Sequence, residues 1–310
     1  MQLSFYQPRA LCWHTHNNKE TSVIPRPFEY HAPTTLPAAI ALLDQYGDEA
    51  KLLAGGHSML PMMKLRFAEP AHLIDLRKIA ALKGIREVGN EIRIGAMTTE
   101  NELIWSPLLQ QKCPLLVEGA GLISDPQVRY MGTLGGDISH ADPANDHPAL
   151  MIALGASFVL TSAAGERVVN ADGYFLGLYY TLLEPGEIMT EIRIPTPAPG
   201  TGSCYAKLKR KTGDYATAAA AVLLRMQGGV VAEVAITLTN LGETALKAND
   251  AENYLRGKPL DDATIREAAR LAMAICEPAP DLRGDIEYKT AMAGEMTQRA
   301  LRTALSRCSA

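Results

Sequence analysis

The sequence predicts an α+β protein with more than one domain, and three features indicate this class. Short apolar strands alternate with amphipathic helices through the first two thirds of the chain, as expected where helices pack on small sheets. A segment rich in proline and glycine, from Pro195 to Gly202, interrupts that pattern and is the best candidate for a domain boundary. Beyond it, Gly228-Gly229 separates two long apolar runs, which is typical of a β-hairpin.

The segment before the boundary starts with a predicted helix from Leu36 to Tyr46, which Thr35 can cap. A short buried strand over residues 51–54 follows and ends at Gly55-Gly56. The remaining apolar runs and capping residues predict helices at 59–65, 99–104, 115–122 and 149–154, and strands at 72–76, 91–94, 157–161, 166–169 and 191–194.

The segment after the boundary is predicted to be a three-stranded sheet covered by two helices. Its strands are expected at 205–211, 219–226 and 230–239, and its amphipathic helices at 262–275 and 286–305. At the other end of the chain, residues 1–26 show no periodicity and no apolar core of a signal peptide. They are predicted to be a disordered extension, in which His14 and His16 are solvent-exposed rather than metal ligands.

Composition excludes several classes of function. The chain has 310 residues, of which 47% are hydrophobic and 21% charged, as in an ordinary soluble globular protein. Its formal net charge is −4 and no basic stripe is visible, so a nucleic-acid partner is not expected. No apolar run approaches the roughly 18 residues that a membrane span needs. We therefore expect a cytoplasmic protein with no integral membrane segment.

The cysteines exclude a metal cluster on this chain. There are five, at positions 12, 113, 204, 276 and 308, without any CxxC pair. An odd, dispersed set argues against a disulfide framework and fits a reducing compartment. It also lacks the grouped thiolates that hold an iron–sulfur cluster. Any such cluster must lie on another chain.

Two glycine-rich loops are the candidates for chemistry. The first loop, Ala54-Gly55-Gly56-His57-Ser58, follows a buried strand and precedes a helix, where glycine lets backbone N–H groups approach a diphosphate. The second loop is Thr133-Leu134-Gly135-Gly136-Asp137. Two such loops could hold one long diphosphate cofactor from both sides. From the residues alone, two unrelated turns without a ligand remain an equally good interpretation.

The two loops resemble the paired FAD loops of the xanthine dehydrogenase and carbon monoxide dehydrogenase family, in the medium, flavin-binding subunit. The similarity extends over residues 27 to the C-terminus, and is closest to the carbon monoxide dehydrogenase subunits. Further segments that resemble the sequence of that subunit are Leu73-Ile74-Asp75-Leu76, Ile94-Gly95-Ala96-Met97-Thr98-Thr99, the segment 125–132, and the segment 207–215.

The resemblance implies a two-subdomain FAD-binding fold of the vanillyl-alcohol-oxidase type, followed by a smaller α+β domain. The subdomains are expected at 27–80 and 81–199, and the C-terminal domain at 200–310. The resemblance also implies which residues hold non-covalent FAD: the two loops, an acidic contact at Asp146, a basic contact at Lys207, and Tyr215 beside the flavin ring. No catalytic residue and no metal ligand is expected on this chain.

Each implied contact has an ordinary alternative. Asp146 could cap the helix that follows, Lys207 could be a solvent-facing strand lysine, and Tyr215 an aromatic residue at a strand edge. His57 is not expected to be a general base, because electron transfer through a flavin requires none. One position departs from the family, which usually has asparagine where this chain has Asp137. A carboxylate there would repel a diphosphate by about 1–4 kcal/mol at 4 Å.

The resemblance implies an electron-transfer function within a larger complex. A large molybdopterin subunit would oxidise the substrate, and a small subunit with two [2Fe–2S] clusters would pass electrons to this chain and then to an external acceptor. A cytoplasmic dimer of heterotrimers is the expected assembly, and peripheral attachment at the inner face of the membrane through the complex remains open. Carbon monoxide, N-heterocycles and aldehydes all remain open as substrates. A stand-alone flavin oxidoreductase and a structural subunit with weakened FAD binding remain as alternatives.

Overall fold

Three sheets of three to five strands, each associated with helices, and a separate two-stranded hairpin make up the described part of the chain. The structure is a computed structural model that describes residues 23–308. The predicted extension lies largely outside these residues, and so do His14 and His16. Parallel and antiparallel sheets combined with helices in separate segments confirm the predicted α+β class.

The first sheet is parallel, with strand order β1-β3-β2. Its strands are β1 (Glu29–His31), β2 (Ala50–Leu53) and β3 (His72–Asp75), and its helices are α1 (Leu36–Tyr46) and α2 (Met59–Lys64). The predicted bounds of α1 are confirmed. Thr35 caps it by accepting a hydrogen bond from the Ala38 N–H group, and Gly47 at φ +50° ends it.

The second sheet is antiparallel, with strand order β4-β5-β10-β6-β7. Its strands are β4 (Ile85–Val88), β5 (Glu91–Gly95), β6 (Ser157–Ser162), β7 (Gly165–Asn170) and β10 (Ile188–Pro195), with a small hairpin of β8 (Phe175–Gly177) and β9 (Tyr180–Thr181). Six short helices lie between β5 and β6: α3 (Glu100–Ile104), α4 (Pro107–Lys112), α5 (Pro114–Leu122), α6 (Pro126–Met131), α7 (Leu134–His140) and α8 (His147–Ala153).

The third sheet is antiparallel and has four strands, which corrects the prediction of three. The strands are β11 (Gly202–Leu208), β12 (Ala218–Gln227), β13 (Val230–Thr239) and β14 (Leu246–Lys247), and the helices are α9 (Asn249–Leu255), α10 (Asp262–Met273) and α11 (Ile286–Arg307). Strand β14 has only two residues, too few for an alternating pattern to reveal. The predicted hairpin at Gly228-Gly229 is confirmed, with φ values of +58° and +81°.

The second and third sheets share one hydrophobic core. Tyr205, Ala219 and Ala221 of the third sheet are buried in the same cluster as Ile94 and Phe158 of the second. The breaker-rich segment before Gly202 therefore connects two sheets that pack against each other. No helix among residues 23–308 is long and apolar enough to cross a membrane.

Candidate functional site

A cavity of about 440 Å³ lies where the first and second sheets meet the connection between β11 and β12. Its volume lies within the range of small-molecule sites, roughly 300–1,000 Å³. Twelve of the thirteen residues predicted for the site line it: Ala54, Gly55, Gly56, His57, Ser58, Thr133, Gly135, Gly136, Asp137, Asp146, Lys207 and Tyr215.

The first glycine loop runs from the carboxyl end of β2 to the start of α2. Gly56 has φ +81°, a conformation that side chains other than glycine rarely adopt. Within the described chain, the backbone N–H groups of Gly56, His57 and Ser58 donate no hydrogen bond. They line the cavity, so three donors are available to an anionic ligand.

The two glycine loops lie close together: Gly55 packs on the backbone at the end of α6, directly before the second loop, and Ala54 lies beside Gly136. A Cβ atom on Gly55 would overlap the Met131 carbonyl oxygen, and one on Gly136 would lie 3.2 Å from the Ala54 Cβ. His57 Nε2 adds a contact of 3.2 Å to the Gln127 carbonyl oxygen. Glycine is needed here because one backbone packs directly on another. The loops therefore form one continuous floor of the cavity.

The second loop is largely the first turn of helix α7, not an irregular loop. Thr133 caps this helix, accepting a hydrogen bond of 3.2 Å from the Gly136 N–H group. Gly135 packs on Ala96, where a Cβ atom would lie 2.5 Å from the Ala96 Cβ. The low helix propensity of two consecutive glycines suggested a loop, but a capping threonine and close packing stabilise the helix.

Leu134 is the one predicted residue that does not line the cavity. Its side chain is fully buried in the core of the second sheet, and its N–H group donates to the Thr98 carbonyl oxygen at 3.0 Å. Neither its side chain nor its N–H group is available to a ligand. Leu134 was predicted to be a site residue because it lies between Thr133 and Gly135 in the loop motif. Helix α7 instead turns its side chain toward the core.

Asp137 lies in the cavity wall without a partner for one oxygen. Its Oδ2 atom is buried and makes no hydrogen bond. Burial raises the pKa of Asp137 to about 7; His147 acts against this rise, and the carboxylates of Glu100, Asp146 and Asp142 add to it. A substantial fraction of Asp137 is therefore protonated near neutral pH. A neutral carboxyl group does not repel a diphosphate as a carboxylate would.

Behind Asp137 lies a buried ion pair that the sequence did not predict. His147 Nε2 is 2.8 Å from Glu100 Oε2, and both side chains are almost fully buried. Burial alone would lower the pKa of His147. The charge of Glu100 and its hydrogen bond outweigh this effect and raise the pKa of His147 to about 9. The two residues are 47 positions apart, and no local pattern connects them. Glu100 also lines the cavity.

Asp146 and Lys207 form a second buried pair in the cavity wall. Lys207 Nζ donates to Asp146 Oδ2 at 2.6 Å, with the side chains 1% and 5% exposed. The Tyr205 hydroxyl donates to the other carboxylate oxygen. Asp146 makes no capping hydrogen bond to α8, and Lys207 does not face solvent. The structure thus excludes the ordinary alternatives for both residues.

Tyr215 lies at the mouth of the cavity, in the connection between β11 and β12 rather than at a strand edge. Its side chain is 44% exposed, and the Arg283 guanidinium lies 5.5 Å from its ring centroid. The neighbouring Asp214 accepts hydrogen bonds from Arg210 and Arg283. These ion pairs fix the connection that carries the tyrosine.

The arrangement favours binding of an extended anionic cofactor over acid–base catalysis. The floor supplies backbone donors, the wall holds paired charges, and the mouth carries an aromatic ring. Among the described residues, no cysteine lines the cavity, and the His57 ring contacts a backbone carbonyl oxygen rather than a carboxylate. A thiol for covalent attachment of a flavin is therefore not provided by these residues, and His57 has no carboxylate partner that would make it a general base.

Comparisons with known proteins agree with this arrangement. Residues 26–197 match the family model of the FAD binding domain in molybdopterin dehydrogenase, and residues 203–304 match the CO dehydrogenase flavoprotein C-terminal domain. The carbon monoxide dehydrogenase medium chain of Hydrogenophaga pseudoflava is 58% identical over 286 residues, covering 92% of this chain and 100% of the relative. That of Afipia carboxidovorans is 52% identical, covering 92% and 99%.

Solved structures give the same result. A carbon monoxide dehydrogenase from Hydrogenophaga pseudoflava that lacks the Mo-pyranopterin moiety superimposes with a TM-score of 0.91 and 60% identity, covering 92% of this chain and 100% of the other. Quinoline 2-oxidoreductase from Pseudomonas putida 86 gives a TM-score of 0.87 and 35% identity, covering 92% and 99%. The chain therefore belongs to the FAD-binding flavoprotein subunits of the molybdopterin dehydrogenases, a family of oxidoreductases that includes the carbon monoxide dehydrogenase medium chains.

Proposed function

We propose that the chain holds one FAD non-covalently in the cavity, with its pyrophosphate and ribityl region against residues 54–58 and 133–137. The observation that carries this proposal is the close approach of the two glycine loops, with Gly55 against the backbone of Met131, two residues before the second loop, and Ala54 beside Gly136. One continuous floor with three unpaired backbone N–H groups suits a ligand with two adjacent phosphates.

The wall and mouth of the cavity have distinct roles in this proposal. Lys207 and Tyr205 hold Asp146 in one orientation, so that its carboxylate is a fixed acidic contact for the cofactor. Tyr215 covers the flavin ring at the mouth and keeps water away from it. FAD, when bound, supplies a carrier that takes up two electrons and passes them on. The residues of the chain bind and orient it and set its potential through nearby charges.

Release of the flavin tests the proposal. Because no cysteine of the described chain lines the cavity, acid precipitation of the purified protein should leave all yellow colour in the supernatant. The flavin-to-protein ratio, measured by absorbance, should be one. Colour that remains in the pellet would contradict non-covalent binding, and a colourless preparation that takes up no added FAD would contradict the site itself.

We further propose that electrons reach this chain from [2Fe–2S] clusters on a small partner subunit and originate at a molybdopterin centre on a large one. An external acceptor, such as a quinone, a cytochrome or NAD, would receive them. The dispersed cysteines of this chain and its full-length match to medium chains support this division of labour. The proposed assembly is a cytoplasmic dimer of heterotrimers, and the proposed domains are 27–80, 81–199 and 200–310.

Carbon monoxide is the substrate that we propose for the complex. The support is the identity of 58% and 52% to two carbon monoxide dehydrogenase medium chains, against 35% to the quinoline enzyme. The complex purified through a tag on this chain should reduce a dye with carbon monoxide and not with quinoline. The reverse result would assign the complex to the heterocycle hydroxylases.

Two alternatives predict different outcomes for the same preparation. A stand-alone flavin oxidoreductase would purify without partner subunits and turn over a substrate by itself. A structural subunit would purify with its partners but without flavin. Purification with both partners and stoichiometric FAD supports the proposal over each alternative.

A further inference from the structure

Three potential metal ligands lie together on the first sheet, away from the cavity. Glu29 and His31 are on β1, and His72 is the first residue of β3. Glu29 is paired directly with His72 in the parallel ladder, and residues two apart on a strand share a face. The three side chains therefore project from one face of the sheet, with their ligand atoms all within 4.8 Å of one another.

Two of the three distances between these atoms are close to those around a tetrahedral zinc ion. His31 Nε2 is 3.1 Å from His72 Nδ1, and His72 Nδ1 is 3.5 Å from Glu29 Oε2. Metal–ligand bonds of about 2.0–2.2 Å in a tetrahedron separate neighbouring ligand atoms by about 3.3–3.5 Å. Both measured separations are close to that value, so an ion could bind with small side-chain movements.

The two imidazole rings are held in place by packing. Tyr46, at the end of α1, stacks on His72 with a centroid distance of 3.6 Å and an interplanar angle of 12°, and on His31 at 5.2 Å and 30°. The His72 side chain is 14% exposed and that of Glu29 is 72% exposed. Packed imidazole rings and one solvent-exposed carboxylate leave a path for the ion and for a water ligand.

We propose that Glu29, His31 and His72 bind one divalent ion of the zinc class, with water completing the coordination. Two imidazoles and a carboxylate form a ligand set that suits zinc. None of the three residues lines the FAD cavity. His72 pairs with Ala50 at the start of β2, whereas the first glycine loop follows the other end of that strand.

The site would stabilise the fold rather than take part in electron transfer. It joins the three-residue strand β1 to β3 across a separation of 41 residues. Because the ligands come together only in the folded chain, ion binding should stabilise the native state. Thermal unfolding of the full-length chain should therefore shift upward on addition of Zn²⁺.

The test is a titration of the chelator-treated full-length chain with Zn²⁺, followed by calorimetry, and with Co²⁺, followed by its visible spectrum. One ion per chain is expected, with a cobalt spectrum that lacks thiolate charge-transfer bands. Loss of a group that only supports a ligand costs about 10–100-fold in affinity. His31→Gln and His72→Gln, which remove ligands, should each cost at least as much.

Two further variants keep the test decisive. Glu29→Gln changes an exposed side chain and so leaves folding intact, yet it should weaken Zn²⁺ binding measurably. The double variant His14→Gln/His16→Gln, outside the described residues, should bind Zn²⁺ as the parent does. Equal binding by the parent, His31→Gln and Glu29→Gln would overturn the proposal, as would loss of binding in the double variant. FAD content should not change when Zn²⁺ is removed.

Discussion

Asp137 is a buried carboxyl group at the position where the family resemblance implies an asparagine. Its Oδ2 atom has no partner, and burial raises its pKa to about 7. In the protonated form it offers one O–H donor and one carbonyl acceptor, much like an asparagine amide. The repulsion expected from the sequence therefore applies only to the deprotonated fraction, which grows as the pH rises.

FAD affinity should accordingly depend on pH. The folded chain favours the protonated form of Asp137, and this preference contributes to the free energy of unfolding. The contribution is complete below the unfolded pKa of about 4 and is lost as the pH rises through the folded pKa of about 7. The protonated form that binds FAD without repulsion is lost over the same upper range. Between pH 6 and pH 8, the FAD dissociation constant, measured by flavin fluorescence, should increase about tenfold.

The matched control is Asp137→Asn, which keeps the shape and removes the titrating group. Its FAD dissociation constant should stay nearly constant over the same range. An equally steep pH dependence in this variant would assign the effect to another group, with the buried Glu100–His147 pair as the next candidate.

Tyr215 is expected to tune the flavin rather than to hold it. An aromatic contact contributes about 0.5–1.5 kcal/mol beyond its buried area, so Tyr215→Ala should weaken FAD binding by little more than tenfold. Because stacking stabilises oxidised and reduced rings unequally, the variant should shift the reduction potential, the visible spectrum and the reactivity with oxygen. Redox titration and stopped-flow spectroscopy would measure these changes.

Tyr215→Phe separates packing from hydrogen bonding. It keeps the ring and its contact with Arg283, at 5.5 Å, so it should behave nearly like the parent if packing is the role of the residue. Unchanged potential, spectrum and oxygen reactivity in Tyr215→Ala would place the tyrosine away from the flavin.

Among the elements, the strand–loop–helix unit of β2 and α2 depends most on a single conformation. Gly56→Val should strain this loop because φ is +81° and a β-branched residue rarely adopts that region. It should reduce FAD affinity by more than about tenfold while the chain stays folded. Equilibrium dialysis with FAD and far-ultraviolet circular dichroism would measure the two properties.

Gly173→Val provides a matched control for backbone strain. Gly173 has φ +88°, its Cβ position is open, and it does not line the cavity. The Gly173→Val substitution should lower the free energy of unfolding by a similar amount, with no loss of bound FAD. If Gly56→Val kept full flavin occupancy, the first loop would be a structural turn only.

Long periodic elements were predicted with the most accurate ends, and several of the short elements were missed. Helix α10 was predicted within two residues of each end and strand β13 with both ends correct, because each repeats its apolar pattern over ten or more residues. The two-residue strand β14 and the six-residue helices α4 and α6, which start with proline at their first position, give no such pattern. Tertiary packing determines whether these short elements form.

The complete molecule should carry electrons without hydroxylating any substrate alone. The chain has no grouped cysteines that could hold an iron–sulfur cluster. The isolated, FAD-loaded chain should therefore show no oxidation of carbon monoxide, quinoline or an aldehyde, although its reduced form should pass electrons to dyes. Substrate-dependent dye reduction by this chain alone would contradict its assignment as a subunit.

The candidate site was predictable where the residues are close in sequence and unpredictable where they meet across the fold. The two glycine loops stand out as motifs, and the structure brings them together at Gly55 and Gly136. The Glu100–His147 pair and the Tyr205 contact to Asp146 join residues 47 and 59 positions apart. The first pair forms where α3 and α8 approach each other, and the second where β11 of the third sheet reaches the start of α8.

The core shared by those two sheets limits how the chain can be divided. Tyr205, Ala219 and Ala221 complete a cluster centred on the second sheet, and Arg307 near the end of α11 binds Glu118 on α5. A protease that cut the connecting segment near residue 199 would leave a nicked pair of fragments that stay associated. We therefore expect neither of the two segments that separate family models recognise to be stable when it is expressed alone.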